Sequence, residues 1–169
     1  MESGREELHR AVADALTDNR GASMGELAAS AGVSRATLHR VYGNRDDLNV
    51  EVYGWLLDQC DAALDSAGID SGPVLDGFDS LIEESYPLAQ SYWLLIATPS
   101  LEKVPALLAR IEAQDKRIDR FFRRGQDEGV FRPDLPPRWL VYTLGAQVMS
   151  TWYLVKDGYA AERDATSLV

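Results

Sequence analysis

The segment 23–42 constrains the fold most, because its caps, turn and apolar spacing together specify two short helices joined by a tight turn. Ser23 and Glu26 form a Ser-x-x-Glu capping box, which predicts a helix beginning at the next residue. Gly32 ends this helix, because the turn requires a residue that adopts positive φ at little cost. Ser34 then caps the second helix. The pattern is that of a helix-turn-helix, whose second helix enters the major groove of DNA.

The apolar spacing of the two helices supports this interpretation. Their inner faces are expected to carry Leu27, Ala28, Ala31, Leu38 and Val41. The second helix turns the remaining side chains outward, and these are Arg35, Ala36, Thr37, His39 and Arg40. A helical hairpin with no role in DNA binding is the alternative. The agreement between caps, turn and spacing favours the helix-turn-helix.

The residues around the motif extend the pattern. An amphipathic first helix (Leu8, Val12, Leu16) precedes it, and Asn44-Arg45-Asp46-x-Leu48 follows it. With these flanks, the segment Glu6–Leu64 resembles the amino-terminal domain of the tetracycline-repressor (TetR) family of bacterial transcriptional regulators. The chain departs from the family pattern at His39 (usually Tyr), at Val41-Tyr42 (usually Tyr-Phe) and at Arg45 (often Lys), and its loop at 19–22 is short.

The resemblance implies a double-stranded DNA operator as partner and assigns roles to the motif. Arg35 and Thr37 are expected to reach base edges. The residues expected mainly to hold phosphates are His39, Arg40, Tyr42 and Arg45, and Ser34 caps the helix and contacts a phosphate. For His39 the residues alone leave a phosphate contact and a base-edge contact open.

The charge pattern fits a confined DNA-binding surface. The chain carries a net charge of −10, but residues 33–45 hold three arginines, one histidine and no acidic residue. Coulomb attraction is screened over about 8–10 Å at physiological salt, so a local basic patch can bind phosphates on an acidic protein. We therefore expect few phosphate contacts per subunit.

The rest of the chain predicts an all-α fold. Proline and glycine separate helices expected at about 45–66, 74–85, 86–98, 100–126 and 139–155, and no strand-like alternation occurs. The charged residues at 115–124 are expected to form a solvated helix face. The predicted domains are an N-terminal helix-turn-helix domain at 1–47 and a ligand-binding and dimerisation domain at 48–169. Residues 160–169 are interpreted as the opening of a truncated final helix.

The helix at 139–155 is apolar on nearly every side, which predicts burial on two sides and a homodimer. The resemblance implies the same, because TetR-like proteins dimerise through their last two helices. It further implies that ligand binding tilts the fourth helix and changes the separation of the two DNA-binding domains.

The resemblance also implies a pocket for a small-molecule effector, which the aromatic side chains suggest to be apolar or aromatic. Eight candidate lining residues are Phe78, Ile82, Tyr92, Ile111, Gln114, Tyr142, Gln147 and Met149. For each aromatic residue, simple core packing is the alternative. Glu83 and Glu84 favour a cationic ligand.

Other function classes find little support. The two histidines are far apart in sequence, and no catalytic triad, metal-ligand cluster, phosphate loop or nucleotide fingerprint occurs, so neither an enzyme, a metal nor a cofactor is expected. No signal peptide or membrane span is apparent and there is one cysteine, which suits the cytoplasm. The expected function is a ligand-responsive regulator, namely a repressor released from a palindromic operator. The alternative is a dimeric ligand-binding or protein-interaction module whose helix-turn-helix no longer reads DNA.

Overall fold

The computed structural model describes residues 2–90, 94 and 104–169, which are helical with no strand among them. We number the helices α1 (Glu2–Asp18), α2 (Met24–Ser30), α3 (Arg35–Tyr42), α4 (Arg45–Ser66), α5 (Val74–Ser85), α6 (Pro105–Asp127) and α7 (Pro137–Lys156). Two 3-10 segments cover Tyr86–Leu88 and Glu162–Leu168. The predicted all-α fold is confirmed.

The helix boundaries follow the predicted caps. The Ser23 hydroxyl accepts the amide of Glu26, whose carboxylate in turn accepts the amide of Ser23 at 2.7 Å. The Asn44 side chain accepts the amide of Asp47 at 3.0 Å and caps α4. Most of the predicted helix at 86–98 and the predicted cap at Ser100 lie outside the described residues. Residues 162–168 form a 3-10 segment rather than the opening of an α-helix.

The chain divides into two compact units. The first comprises Met1–Asp58 with Gln90–Leu108, and the second comprises Gln59–Ala89 with Ala109–Val169. α4 contributes residues to both units. The predicted boundary between functional domains at 47/48 stays a prediction.

The core of the first unit packs α1, α2, α3 and the first half of α4 around fully buried aliphatic side chains. These are Val12, Leu16, Leu27, Leu38, Leu48, Val52 and Leu56. The turn between α2 and α3 is closed by Gly32, which has φ +67°, and by the amide of Val33 donating to Ala28 O at 2.9 Å. This packing holds α3 by its inner face and leaves the opposite face open.

Four phenylalanine rings form the centre of the second unit. Phe131 lies 5.3 Å from Phe78, 6.0 Å from Phe121 and 5.1 Å from Phe122, between ring centroids. Leu64, Leu81 and Val141 are among the buried side chains of the same cluster. The rings meet mostly edge to face, the arrangement that aromatic pairs favour.

The charged face of α6 is less solvated than the sequence suggested. Arg117 is largely buried and binds Asp65 at 2.7 Å and Asp70 at 2.7 Å. Arg110, seven residues earlier, pairs with Asp61, and Arg124, seven residues later, donates to the carbonyls of residues 69 and 72. The prediction of a solvated face at 115–124 is therefore wrong for Arg117 and Arg124, because they join α6 to the end of α4 and the loop that follows it.

α7 has one apolar exposed side. Trp139, Tyr142, Tyr153 and Leu154 each have between 42% and 61% of their surface exposed in the isolated chain. Its other side is buried through Val141, Val148 and Met149. Among the described residues, no helix is long and apolar enough to cross a membrane.

Candidate functional site

The candidate site is the outer face of α3, which begins at Arg35, directly after its predicted cap Ser34. Ser34 Oγ accepts the amide of Thr37 at 3.0 Å and lies 2.9 Å from Thr37 Oγ1. The two hydroxyls are thus hydrogen-bonded to each other at the start of the helix. Thr37 is half-buried, and Ser34 is exposed.

Three basic side chains stand exposed on this face. Arg35 and His39 are neighbours on the helix surface, because residues four apart lie close on one side, and the exposed Arg40 directly follows His39. α3 contains no acidic residue. No ion pair to Arg35 or Arg40 occurs within the part of the chain that the structure describes. The face therefore presents two guanidinium groups and an imidazole to an approaching anion or base edge.

The imidazole of His39 has a fixed orientation. Its Nδ1 lies 2.7 Å from the carbonyl oxygen of Gly43, the residue that ends α3. The amide of Gly43 also donates to the carbonyl oxygen of His39 at 2.8 Å. The Nδ1 contact holds the ring against the end of the helix, so that Nε2 is the ring nitrogen left for an outside partner.

Tyr42 was expected to hold a phosphate, and the structure places it in the core instead. It is 2% exposed, and its hydroxyl is closed to solvent with no hydrogen-bond partner among the described residues. Burial, reinforced by the nearby Glu51, raises the pKa of Tyr42 to about 12. Its ring packs 5.7 Å from the ring of His9. The expectation failed because Tyr42 is four residues after Leu38 and shares its inward face.

Arg45 was also expected to hold a phosphate, but most of its donors serve the protein. Nη1 donates to Ala22 O, Nη2 donates to Arg20 O at 2.9 Å, and Nε donates to Asn49 Oδ1 at 3.1 Å. The guanidinium thereby fastens the short loop after α1 to the start of α4. In this structure Arg45 supports the site and does not form its surface.

Sequence reasoning missed a polar cluster beneath α3. His9 is 8% exposed, and its Nε2 lies 3.8 Å from Glu51 Oε2, which also pairs with Arg5. The ring of Trp55 lies 5.8 Å from the ring of His9, between centroids, and its indole nitrogen has no hydrogen-bond partner among the described residues. Burial lowers the pKa of His9, and the charge of Arg5 adds to this. The helical spacing of His9 with Val12, Ala13 and Leu16 was the available signal.

The eight candidate ligand residues do not converge on one open site. Tyr142 is 61% exposed and Gln147 is exposed, which argues against a place for either in an enclosed pocket. Phe78 belongs to the phenylalanine cluster, so core packing accounts for it. Met149 is buried, and three candidates are half-buried, namely Ile82, Ile111 and Gln114. Tyr92 lies outside the described residues.

Two polar features of the second unit bear on ligand binding. An open groove of about 420 Å³ is lined by the end of α6 and by residues 133–137, and none of the eight candidates lines it. Asp119 on α6 has one carboxylate oxygen closed to solvent with no hydrogen-bond partner among the described residues. Glu83 and Glu84 are exposed.

Comparison with known proteins places this arrangement in a family. The HTH-type transcriptional repressor LfrR of Mycolicibacterium smegmatis is 33% identical over 169 residues, covering 97% of this chain and 84% of the relative. The chain belongs to the TetR family of transcriptional regulators. As a member of this family, the chain is a DNA-binding transcriptional regulator.

Two further comparisons agree with the TetR assignment. The HTH-type transcriptional regulator NfxB of Pseudomonas aeruginosa is 36% identical over 135 residues, covering 77% of this chain and 71% of the relative. The crystal structure of LfrR in complex with proflavine superposes with a TM-score of 0.73 and 28% identity, covering 97% of this chain and 93% of LfrR. No protein-family model matches the chain.

The structure explains two departures from the TetR pattern. The short loop at 19–22 is held by Arg45, whose planar guanidinium reaches two of its carbonyl oxygens. His39, where the family usually has tyrosine, carries a hydrogen bond to the chain's own backbone. With both changes present, α2 and α3 form with the caps that the sequence predicts.

Proposed function

We propose that the chain is a cytoplasmic transcriptional repressor that binds a palindromic operator as a homodimer and leaves it when a small molecule binds. The observation that carries this proposal is the exposed, acid-free face of α3 with Arg35, His39 and Arg40. The name of the relative LfrR, a transcriptional repressor, supports the direction of regulation. No catalytic role is proposed.

The side chains divide between base reading and phosphate binding. Arg35 is the first residue of α3, and residues at the start of a recognition helix are those that contact base edges. Arg40, near the end of the helix, is proposed to hold a phosphate together with Ser34. Thr37 contributes its methyl group at the base edges, because its hydroxyl is hydrogen-bonded with that of Ser34. Tyr42 acts by packing the inner face of α3, and Arg45 acts by fastening the loop at 19–22 to α4.

The homodimer is proposed to form through α7. Its exposed Trp139, Tyr142, Tyr153 and Leu154 form an apolar side that a second copy of the chain would bury. A two-fold dimer presents two recognition helices, which read half-sites about one helical turn of DNA apart.

The effector is proposed to be a planar aromatic cation that binds in the second unit. Support comes from LfrR, which has been crystallised with proflavine, a positively charged acridine. The buried, unpartnered oxygen of Asp119 would attract such a charge. The remaining candidate lining residues are Phe78, Ile82, Tyr92, Ile111, Gln114 and Met149.

The proposal is tested by binding of the purified protein to a labelled duplex from upstream of its own gene. The double variant Arg35→Ala, Arg40→Ala should lose binding, whereas Arg163→Ala, which removes an exposed charge from the other unit, should not. Arg40→Ala alone should reduce the slope of log K against log salt by about two per dimer, at about 0.9 per phosphate contact. An unchanged slope and unchanged affinity in the double variant would contradict the proposal.

Proflavine then serves as the probe of ligand response. It should displace the wild-type protein from the duplex, and Asp119→Asn should need more proflavine for the same displacement. Glu112→Gln on the same helix is the matched control, because its side chain is exposed and does not line the groove at 133–137. If the protein retains no DNA at low salt yet binds proflavine, the chain is instead the dimeric ligand-binding module, and the repressor proposal is wrong.

A further inference from the structure

The hydrogen bond between His39 and Gly43 determines which chemistry His39 can offer to DNA. A carbonyl oxygen only accepts, so Nδ1 of His39 must donate its proton to Gly43 O across the 2.7 Å contact. A neutral imidazole has a single N–H. In the neutral ring, Nε2 is therefore an acceptor.

We propose that His39 reads the exocyclic amino group of a cytosine or adenine in the major groove through Nε2. This inference rests on the proposed function and makes it specific. Of the groups that base pairs present in the major groove, only cytosine N4 and adenine N6 are hydrogen-bond donors. The tyrosine that the family usually has at this position carries a hydroxyl, which can donate as well as accept a hydrogen bond. The Nε2 atom of His39 only accepts, so it selects an amino group.

A phosphate contact does not fit the neutral ring and would require a protonated imidazole, which donates from both nitrogens. Phosphate oxygens only accept hydrogen bonds, and a bare Nε2 has no proton to give them. Arg35, one helical turn before His39, offers donors that match guanine acceptors. The α3 face therefore pairs a donor side chain with an acceptor side chain, which is a complementary set for reading two different bases.

Gly43 is what makes the fixed tautomer possible. Its backbone has φ +75° and ψ −83°, a conformation that side-chain-bearing residues rarely adopt. This conformation presents its carbonyl oxygen to the His39 ring while its amide still donates to His39 O. A Cβ at this position would also lie 3.2 Å from Asp47 Oδ2.

Two variants separate the two ring nitrogens. In His39→Asn, the side-chain amide can still donate to Gly43 O, but nothing replaces Nε2. In His39→Gln, the amide oxygen reaches the position of Nε2, and the contact with Gly43 is lost. Equal thermal midpoints for both variants and the wild type check that neither change unfolds α3.

The experiment uses a duplex selected from a randomised pool by the full-length wild-type protein at about pH 8. Each adenine is replaced in turn by purine and each cytosine by 2-pyrimidinone, which removes only the amino group. At one position per half-site, the wild type and His39→Gln should lose about three- to ten-fold in affinity, as expected for one neutral hydrogen bond. His39→Asn should lose nothing further at that position. The analogue that shows the effect identifies adenine or cytosine.

Three results would overturn the inference. If the wild type selects no duplex, the proposed function fails and the inference fails with it. If the wild type binds but no amino-group deletion is coupled to His39, the inference alone fails. If the coupling appears instead with a methylphosphonate that neutralises one phosphate, His39 holds the DNA backbone and the base-reading role is wrong.

Discussion

Gly125→Ala provides the sharpest test of the packing in the second unit. A Cβ at Gly125 would lie 2.2 Å from Phe131 Cδ2 and 2.9 Å from Val74 Cγ1. The ring cannot move aside freely, because it contacts Phe78 and Phe122 and because the amide of Phe131 donates to Gly125 O at 3.0 Å. The added methyl group must therefore displace the ring from the cluster.

The size of the effect follows from opposing terms. Overpacking costs about 1–3 kcal/mol, and each aromatic contact that is lost costs about 0.5–1.5 kcal/mol. Replacing glycine by alanine inside a helix stabilises the folded state by about 1 kcal/mol, which offsets part of this cost. We expect the free energy of unfolding to fall by about 2 kcal/mol, which lowers the melting temperature by about 4–8 °C in a chain of this size.

The assay is urea unfolding followed by far-UV circular dichroism at one fixed protein concentration, because dimerisation makes apparent stability depend on concentration. Gly54→Ala is the matched control: it lies inside α4, and its Cβ would meet nothing closer than 3.9 Å. This variant should gain about 0.5–1 kcal/mol. In a Phe131→Ala background, Gly125→Ala should destabilise much less, because only the 2.9 Å contact with Val74 Cγ1 remains. If Gly125→Ala matches Gly54→Ala in stability, the described contact with Phe131 is wrong.

Three further predictions concern charged and titratable groups. Arg117→Met should lower the free energy of unfolding by about 1 kcal/mol, because Asp65 and Asp70 lose their partner, and the deficit should shrink at high salt. Burial lowers the pKa of His9, so the unfolded chain binds a proton at a higher pH than the folded chain. The free energy of unfolding should therefore fall as the pH drops below about 6.5, and His9→Gln should reduce this fall. Burial raises the pKa of Cys60 to about 11, so iodoacetamide should alkylate the native protein far more slowly than the urea-unfolded protein at about pH 8.

Each of these has a result that would contradict it. A salt-independent deficit in Arg117→Met would mean that lost packing, not lost charge, explains the change. Parallel pH profiles for the wild type and His9→Gln would exclude His9 as the source of the acid sensitivity. Equal alkylation rates for native and unfolded chains would mean that the Cys60 thiol is not shielded.

The sequence predicted the helices where a local signal exists. Ser23, Ser34 and Asn44 each cap a helix by accepting the amide of the residue three positions later. Such a short spacing can be recognised from the sequence alone. The exposed face of α3 followed from the same local spacing. The assignment of Tyr42 to a phosphate failed although its position four residues after Leu38 already placed it on the inward face of α3.

Contacts between distant segments could not be predicted in this way. Arg117 meets Asp70 across 47 residues of sequence, and nothing in the local pattern selects that partner over solvent. The hydrogen bond of His39 was equally hidden, because it depends on the backbone conformation of Gly43 rather than on residue type alone. The ligand residues lacked any local signal, since an aromatic residue at helical spacing suits a core and a pocket alike.

The anchoring of the loop at 19–22 by Arg45 has a consequence for transplanting recognition helices between related proteins. A lysine carries a single ammonium group and could not reach the carbonyl oxygens of Arg20 and Ala22 while also contacting Asn49. The length of the loop at 19–22 and the residue at position 45 therefore depend on each other. A chimera that receives α2 and α3 from this chain should keep its DNA-reading geometry only when both are carried over together.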